Sequence, residues 1–123
     1  INKPISIKNG TVKRTVHKGR MPREAITEYK VVNCFKYKDN DFTLLEVMPK
    51  TGRTHQIRVH LNSIHHPVYG DNLYGKKDEI LKLDHHFLHA QSLELPLPNK
   101  KNLIIEADLP RDLKKILNSL GSR

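Results

Sequence analysis

The chain has 123 residues and carries 22 Lys and Arg against 13 Asp and Glu, which gives a formal net charge of +9 with its eight histidines neutral. This length suits a single domain with a hydrophobic core of its own, and no apolar run approaches the roughly 20 residues of a membrane span. A single cysteine, Cys34, excludes an intrachain disulfide and fits a reducing compartment. We therefore expect a soluble, cytoplasmic protein. Because the first residue is Ile1, we also expect the chain to be a piece of a longer one.

The opening residues 1–24 are basic and hold Pro4, Gly10, Gly19 and Pro22 among scattered apolar positions. Proline and glycine interrupt regular structure, and clustered like charges favour solvent. This segment is therefore predicted to be a basic, loop-rich arm with one short strand around Ile5.

Two strands are predicted next. From Ala25 to Tyr37, β-branched and aromatic residues alternate with polar ones, which is typical of a strand. The stretch Phe42–Met48 has the same character, and the polar turn Lys38–Asp41 joins the two. The sequence therefore predicts an antiparallel hairpin.

A helix is predicted after this hairpin, because Pro49–Gly52 breaks the second strand. The apolar residues that then recur at the spacing of one helical face are Ile57, Leu61 and Ile64. This pattern favours a helix from Thr54 to Ser63, with Thr54 or Thr51 as its N-cap.

The rest of the chain mixes loops, strands and one more helix. We predict a loop over 67–75, a helical turn within 76–83, strands over 87–97 and 103–109, and a helix that begins at Pro110 with Leu113, Ile116, Leu117 and Leu120 on one face. Hairpins combined with separate helices indicate an α+β fold with a mostly antiparallel mixed sheet and flanking helices.

The densest polar cluster runs from Lys50 to His60, across the predicted strand-to-helix junction. Gly52 allows a tight turn, and the free N–H groups at the start of a helix attract an anion, next to which Arg53 would stand. Arg58 lies one turn further on, where a guanidinium can hold a carboxylate or phosphate with two hydrogen bonds. A salt bridge within the fold is the alternative role for Arg58, and the residues alone leave both roles open.

Histidine is abundant enough for a zinc site to be considered, since clustered imidazoles are common zinc ligands. However, His55 and His60 are five residues apart, which does not align them on one helix face, and Cys34 has no second thiolate beside it. We therefore expect no metal. The basic composition instead fits a polyanion such as nucleic acid, with few platforms for base stacking because the chain has no Trp and 6% aromatic residues.

Three blocks of sequence stand out together: Thr51–Leu61, His66–Gly75 and Leu88–Ala90. In this order and spacing they resemble the C-terminal signature of the RluA-type pseudouridine synthases. Shorter matches at Pro4–Ile5, Ala25–Tyr29 and Ala107–Asp112 extend the resemblance to nearly the whole chain.

The resemblance implies isomerisation of uridine to pseudouridine in structured RNA, mostly ribosomal RNA, with no cofactor and no metal. In that family an aspartate within a His-Arg-Leu-Asp type motif starts the reaction, and this motif is absent from the chain. The second arginine of the family's Arg-x-His-Gln-x-Arg block pairs with that aspartate, and it corresponds here to Arg58. The resemblance also implies that Gly70 and Asp71 shape a loop beneath the pocket, and that the substrate-binding residues include Arg53, His55, Gln56 and Leu88.

The sequence therefore predicts that residues 1–123 are the C-terminal part of a pseudouridine synthase catalytic domain, with 1–24 as its basic opening arm. The nucleophilic aspartate and the family's active-site tyrosine are expected upstream, so that the chain alone is expected to be inactive. The alternative from another class is a non-catalytic, basic RNA-binding or ribosome-associated module. A small metal-dependent protein is the third alternative.

Overall fold

The structure is a computed structural model that describes residues 1–122. The strands are β1 (Ile5–Ile7), β2 (Arg14–Thr15), β3 (Arg20–Arg23), β4 (Thr27–Tyr37), β5 (Asn40–Pro49), β6 (Ser92–Pro96), β7 (Asn102–Glu106) and β8 (Gly121–Ser122), and the helices are α1 (Gln56–Ser63) and α2 (Arg111–Ser119). Every strand pairing in residues 1–122 is antiparallel, and the strands form three small sheets. The predicted α+β class is confirmed, although the strands are divided among separate sheets.

The β4–β5 hairpin is confirmed and is the longest regular feature of the chain. Its register runs from Thr27 opposite Pro49 to Tyr37 opposite Asn40, with one irregularity between Val31 and Asn33. The polar turn places Lys38 and Asp39 at positive φ, which allows the chain to reverse between two closely paired strands. Strand β8 pairs with the other edge of β4.

The basic opening segment contains more strand than the sequence predicted. Strand β1 lies between β2 and β3, which are short and carry charged residues, so that no alternating pattern marks them. Ile5 is 3% exposed and forms a buried cluster with Ala25 and Val59, against which Val16 and Tyr74 pack. The segment is thus packed against the first helix.

Helix α1 begins two residues later than predicted, and neither predicted threonine caps it. Its N-cap is His55, which adopts the left-handed conformation at φ 56° and makes no capping hydrogen bond with its side chain. The Thr51 hydroxyl has other partners: it accepts the Ile26 N–H at 3.0 Å and donates to Gln56 Oε1 at 2.6 Å. Thr51 therefore ties the start of the hairpin to the start of the helix.

Residues 64–91 form a long connection without a helix or strand, so the helical turn predicted within 76–83 is wrong. Tyr69 organises this connection, because its hydroxyl accepts the Leu81 N–H at 2.8 Å and its carbonyl accepts the Phe87 N–H at 2.7 Å. Since Phe87 is bonded to this loop, strand β6 begins only at Ser92, later than predicted.

The C-terminal helix is confirmed close to its predicted position. Pro110 lies at the N-cap of α2, where a missing N–H costs nothing. Leu113 is 1% exposed, and the other three apolar residues of the predicted face are half-buried. No helix within residues 1–122 is long and apolar enough to cross a membrane.

Candidate active site

The strand-to-helix junction before α1 is held together by the side chain of Gln56. Its Oε1 accepts the Thr51 hydroxyl and the Arg53 N–H, at 2.6 and 3.0 Å. Its Nε2 donates to the Ile26 carbonyl and the Thr27 hydroxyl, at 3.0 and 2.9 Å. With both ends of the amide paired and 4% exposure, Gln56 fixes how α1 leaves the hairpin and so where the next turn of the helix lies.

Arg58, two residues after Gln56 in the first turn of α1, makes a two-pronged ion pair with Asp71. Arg58 Nε donates to Asp71 Oδ2 at 2.9 Å, and Nη2 donates to Oδ1 at 2.8 Å. The side chain of Arg58 is 15% exposed and that of Asp71 is 1% exposed. This geometry orients the planar guanidinium, and the hydrogen bond to Asp71 raises the pKa of Arg58.

Asp71 is ionised despite its burial. Burial alone would raise the pKa of its carboxyl, but the hydrogen bonds from Arg58 and from the N–H groups of Tyr74 and Leu73 outweigh burial and lower the pKa to about 2. Gly70 precedes it at φ +80°, and a Cβ at that position would collide with the His85 carbonyl. The loop thus positions the ionised carboxylate of Asp71 next to Arg58 of α1.

One edge of the Arg58 guanidinium has no hydrogen-bond partner among the residues that the structure describes. Asp71 occupies the Nε–Nη2 edge, and among residues 1–122 no hydrogen bond reaches Nη1. The flat face of the group lies over the ring of Tyr74, with Cζ 5.2 Å from the ring centroid. A guanidinium has five N–H donors, so the remaining edge can bind a second anion without breaking the first pair.

Tyr74 links this pair to its neighbours. Its hydroxyl accepts the Arg14 N–H at 3.0 Å and lies 2.7 Å from His55 Nδ1. Burial, followed by the charges of Arg58 and Arg14, lowers the pKa of His55, and burial followed by the charge of Arg58 lowers that of His86. The imidazole of His55 is therefore neutral at pH 7, and its Nδ1 shares a hydrogen bond with the Tyr74 hydroxyl.

The site residues predicted from the sequence are not all in one place. Arg58 and His55 both contact Tyr74, and Gln56 lies behind them as a buried brace. Arg53 points away from this group, because its Nε donates to the Glu24 carbonyl at 2.8 Å.

Leu88 and His89 lie in the connection before β6. Leu88 is half-buried, and its N–H donates to the carbonyl of His86, a residue whose pKa responds to the charge of Arg58. His89 Nε2 is hydrogen bonded to the Ala107 carbonyl at 2.9 Å.

Sequence reasoning gave Asp71 only a role in shaping its loop and gave Tyr74 no role. The one signal that could have found their pairing with Arg58 is their position in the His66–Gly75 block, where a charged and an aromatic residue lie between two glycines. Their distance from Arg58 along the chain hides the contact.

The residues that the structure describes contain no group of three or more His, Cys, Asp or Glu that could hold a metal ion. The histidines are separated by their partners: the His60 ring bonds to Thr27 and Lys3, and the His85 ring bonds to Asp112. The chemistry that the site offers is therefore the binding of an anion by an oriented guanidinium next to neutral imidazoles.

Several known proteins are similar to this chain in sequence. The profile of the RNA pseudouridylate synthase family matches residues 1–63. The ribosomal large subunit pseudouridine synthase D of Nitrosomonas europaea is 37% identical over 118 residues, which cover 85% of this chain and 33% of that protein. The tRNA pseudouridine synthase C of Salmonella typhi is 34% identical over 118 residues, which cover 85% of this chain and 45% of that protein.

A solved structure has the same fold. The human RNA pseudouridylate synthase domain containing 1 superposes with a TM-score of 0.82 at 23% identity, over 100% of this chain and 52% of that one.

The chain belongs to the RNA pseudouridylate synthase family. It spans between a third and a half of the length of the two bacterial relatives.

Proposed function

We propose that this chain is part of an enzyme that isomerises uridine to pseudouridine in RNA, without a cofactor. The observation that carries the proposal is the half-buried Arg58, which Asp71 orients on one edge and which is unpartnered within residues 1–122 on the other. We infer the reaction from family membership, and we propose that Arg58 is the residue of this chain that takes part in it.

In this proposal the nucleophilic aspartate comes from outside the chain and binds the free edge of Arg58. A carboxylate in a partly dry cleft would otherwise take up a proton, because burial raises its pKa. Arg58 keeps it ionised and aimed at the target nucleotide. The bond between C1′ of the sugar and N1 breaks and leaves its electron pair on the base, and the base rotates. C5 then bonds to C1′ and loses its proton, while N1 gains one, so that product and substrate are isomers.

Four further residues are proposed to serve the substrate. His55 lies next to Tyr74 at the start of α1, and Gln56 acts from behind by fixing the turn that carries Arg58. Arg53, whose Nε is bonded to the Glu24 carbonyl, is included on the family resemblance alone. Leu88 provides an apolar wall for the uracil ring of the flipped nucleotide, since flipping requires a shaped pocket that replaces base stacking. Their assignment rests on the family resemblance and on their positions around the strand-to-helix junction.

We further propose that residues 1–123 are the C-terminal part of a larger catalytic domain. Among residues 1–122, eight hydrophobic residues are buried but thirteen large ones are exposed, and every residue of β6 and β7 is exposed. A two-stranded hairpin open to water on both faces is marginally stable by itself. Cover from the rest of a longer protein accounts for these faces.

Ribosomal RNA is the substrate class that we propose, on the strength of the relative that is named for the large ribosomal subunit. A net charge of +9 supports a polyanionic substrate, because contacts with phosphates supply affinity that does not depend on sequence. We place the enzyme in the cytoplasm, because its reducing conditions keep a single free cysteine such as Cys34 in the thiol form. A non-catalytic RNA-binding module is the competing proposal, and it is supported by the same charge.

Replacement of Arg58 by lysine in the complete protein separates the two proposals. Lysine retains the charge but presents a single point donor, so it cannot hold two carboxylates in fixed orientations. We expect Arg58→Lys to lower the single-turnover rate on the order of 10²-fold or more, with little change in RNA affinity. The rate is measured as tritium released from RNA that contains 5-tritiated uridine, at saturating enzyme, next to a binding titration.

Arg111→Lys is the matched control, because Arg111 is an exposed arginine on the other helix, α2, and has no side-chain contact with Arg58 among residues 1–122. It should keep the wild-type rate. A rate for Arg58→Lys near wild type, or a defect that disappears at saturating enzyme, contradicts the active-site role. Absence of tritium release from the wild-type protein on every RNA supports the binding module instead.

A further inference from the structure

A pocket with a strongly basic lining lies next to the Arg58 site. It has a volume of about 320 Å³ and is open to solvent. Its walls come from β2 and its flanking loops, with contributions from α1 and from the loop that carries Asp71. The cationic residues that line it are Lys8, Lys13, Arg14, Lys18 and His17.

The charge of this pocket is not neutralised by the protein. No acidic residue lines it, and none of its four lysines and arginines takes part in the salt bridges of residues 1–122. Four positive charges around one concave surface repel one another and lower the free energy of a bound anion. The pocket therefore favours an anionic ligand from solution.

The backbone of the pocket is already ordered. The Lys8 N–H donates to the Lys13 carbonyl at 2.8 Å, and Thr11 closes the turn between them by donating to the Lys8 carbonyl and accepting the Lys13 N–H. A ligand would find the cations near their places and would have to order only their side chains.

Tyr74 forms a wall shared by this pocket and the Arg58 site. Its hydroxyl accepts the Arg14 N–H on the pocket side, while its ring lies against the Arg58 guanidinium. Tyr74 thus contacts both sites.

We infer that the pocket binds a backbone phosphodiester of the RNA strand, adjacent to the nucleotide that Arg58 receives. This inference rests on the proposed RNA substrate and adds a defined phosphate subsite to it. An RNA strand that leaves Arg58 on the side of Tyr74 would meet the four lysines and arginines of the pocket next. Phosphate oxygens are the anions that lysine and arginine clusters of this kind bind in nucleic acids.

The test is RNA binding by the complete protein as a function of salt. In the triple variant Lys13→Gln, Arg14→Gln and Lys18→Gln, the slope of log affinity against log salt should become shallower by about two, with affinity weaker by on the order of tenfold at moderate salt. Fluorescence anisotropy with a labelled single-stranded RNA measures both quantities. Because this experiment measures RNA binding and not catalysis, its result can be interpreted whether or not the protein forms pseudouridine.

The matched control is Lys77→Gln, Lys100→Gln and Lys101→Gln, which removes the same charge from exposed positions outside the pocket. It should leave the slope close to that of the wild type. The single variant Lys18→Gln, at an exposed position, should lower the slope by just under one without any effect on folding.

Equal losses in the two triple variants would overturn the inference, because they would reveal a diffuse effect of net charge. It would also be overturned if the pocket variant lost binding to an acidic peptide but bound RNA as the wild type does. If the pocket triple variant binds RNA more weakly and with a shallower salt slope, and Arg58→Lys shows its expected loss of rate, the subsite and the reaction are both supported. If the pocket variant keeps the wild-type salt slope while Arg58→Lys still loses its rate, the subsite is rejected and the proposed reaction stands.

Discussion

The most informative residue of this chain is Arg58, since two roles that the sequence left as alternatives turn out to be compatible. It forms an internal ion pair with Asp71, and that pair leaves its other edge free of partners in residues 1–122. A buried ion pair adds little net stability, because desolvation of both charges offsets their attraction. Its benefit here is orientation, which a positioned cation in an active site requires.

Removal of the Asp71 charge should destabilise the fold and change its response to acid. Asp71→Asn leaves Arg58 buried without its counter-charge, so we expect a loss of about 3 kcal/mol in the free energy of unfolding at pH 7. The Asp71 pKa lies lower in the folded state, about 2 against 3.8, so its contribution is complete above pH 4 and disappears as the pH falls through 2. Urea unfolding of wild type and variant between pH 7 and pH 2 measures this difference.

The gap between wild type and Asp71→Asn should therefore narrow from pH 4 to pH 2. Asp39→Asn, on the exposed β4–β5 turn, is the control and should unfold like the wild type. If the difference in the free energy of unfolding stayed constant down to pH 2, the negative charge of Asp71 would not be what stabilises Arg58.

At the scale of elements, helix α1 shows how far sequence patterns reach. The predicted apolar face identified Leu61 as buried, but Ile57 and Ile64 are half-buried while Gln56 and His60 are 4% and 0% exposed. The helix is thus rotated, with two polar residues towards the core. Hydrophobic spacing could not reveal this, because it assigns every polar residue to solvent.

The burial of His60 is possible because both ring nitrogens are satisfied. Nε2 lies 2.8 Å from the Lys3 carbonyl, which can only accept, so Nε2 carries the proton. Nδ1 then accepts from the Thr27 hydroxyl at 2.7 Å, and that oxygen in turn accepts from Gln56. Burial lowers the pKa of His60, which keeps the ring neutral in this network. These partners come from distant parts of the sequence, and no local pattern announces them.

The hairpin and the C-terminal helix were predictable for the opposite reason. Alternation along β4 and β5 and the apolar face of α2 are local properties that decide local structure. The Arg58–Asp71 pair depends on a loop with no regular structure, so no local sequence pattern predicts it.

Truncation of Leu61 tests whether α1 is anchored as described. Leu61 is 5% exposed, so Leu61→Ala should lower the free energy of unfolding by about 2–5 kcal/mol through lost burial and a residual cavity. Asn62→Ala, at the neighbouring exposed position, is the control and should change stability by less than about 0.5 kcal/mol. Thermal or urea unfolding compares the two, and a small effect of Leu61→Ala would place this face in solvent and remove the support for the position of Arg58.

For the molecule as a whole, charge and apolar surface indicate different partners. The basic pocket and the net charge of +9 favour an anionic partner. The thirteen large hydrophobic residues that are exposed within residues 1–122, which include Tyr29, Val31 and Val32 on β4, favour an apolar one. RNA can satisfy the first need but not the second. The two surfaces together fit a catalytic domain in which this chain supplies Arg58 and the phosphate subsite, and other residues supply the rest.

The 123-residue chain alone should therefore bind RNA but form no pseudouridine. It contains no Arg-Leu-Asp sequence, and its buried carboxylate, Asp71, is held by Arg58 and two N–H groups, with a pKa of about 2 that makes it a weak nucleophile. We expect tritium release from 5-tritiated uridine RNA to stay at the level of the enzyme-free reaction, while binding to the same RNA weakens steeply with salt. The complete protein is the positive control for release. If the chain alone released tritium above the enzyme-free level, the nucleophile would have to lie within this chain, and its supply from elsewhere would be contradicted.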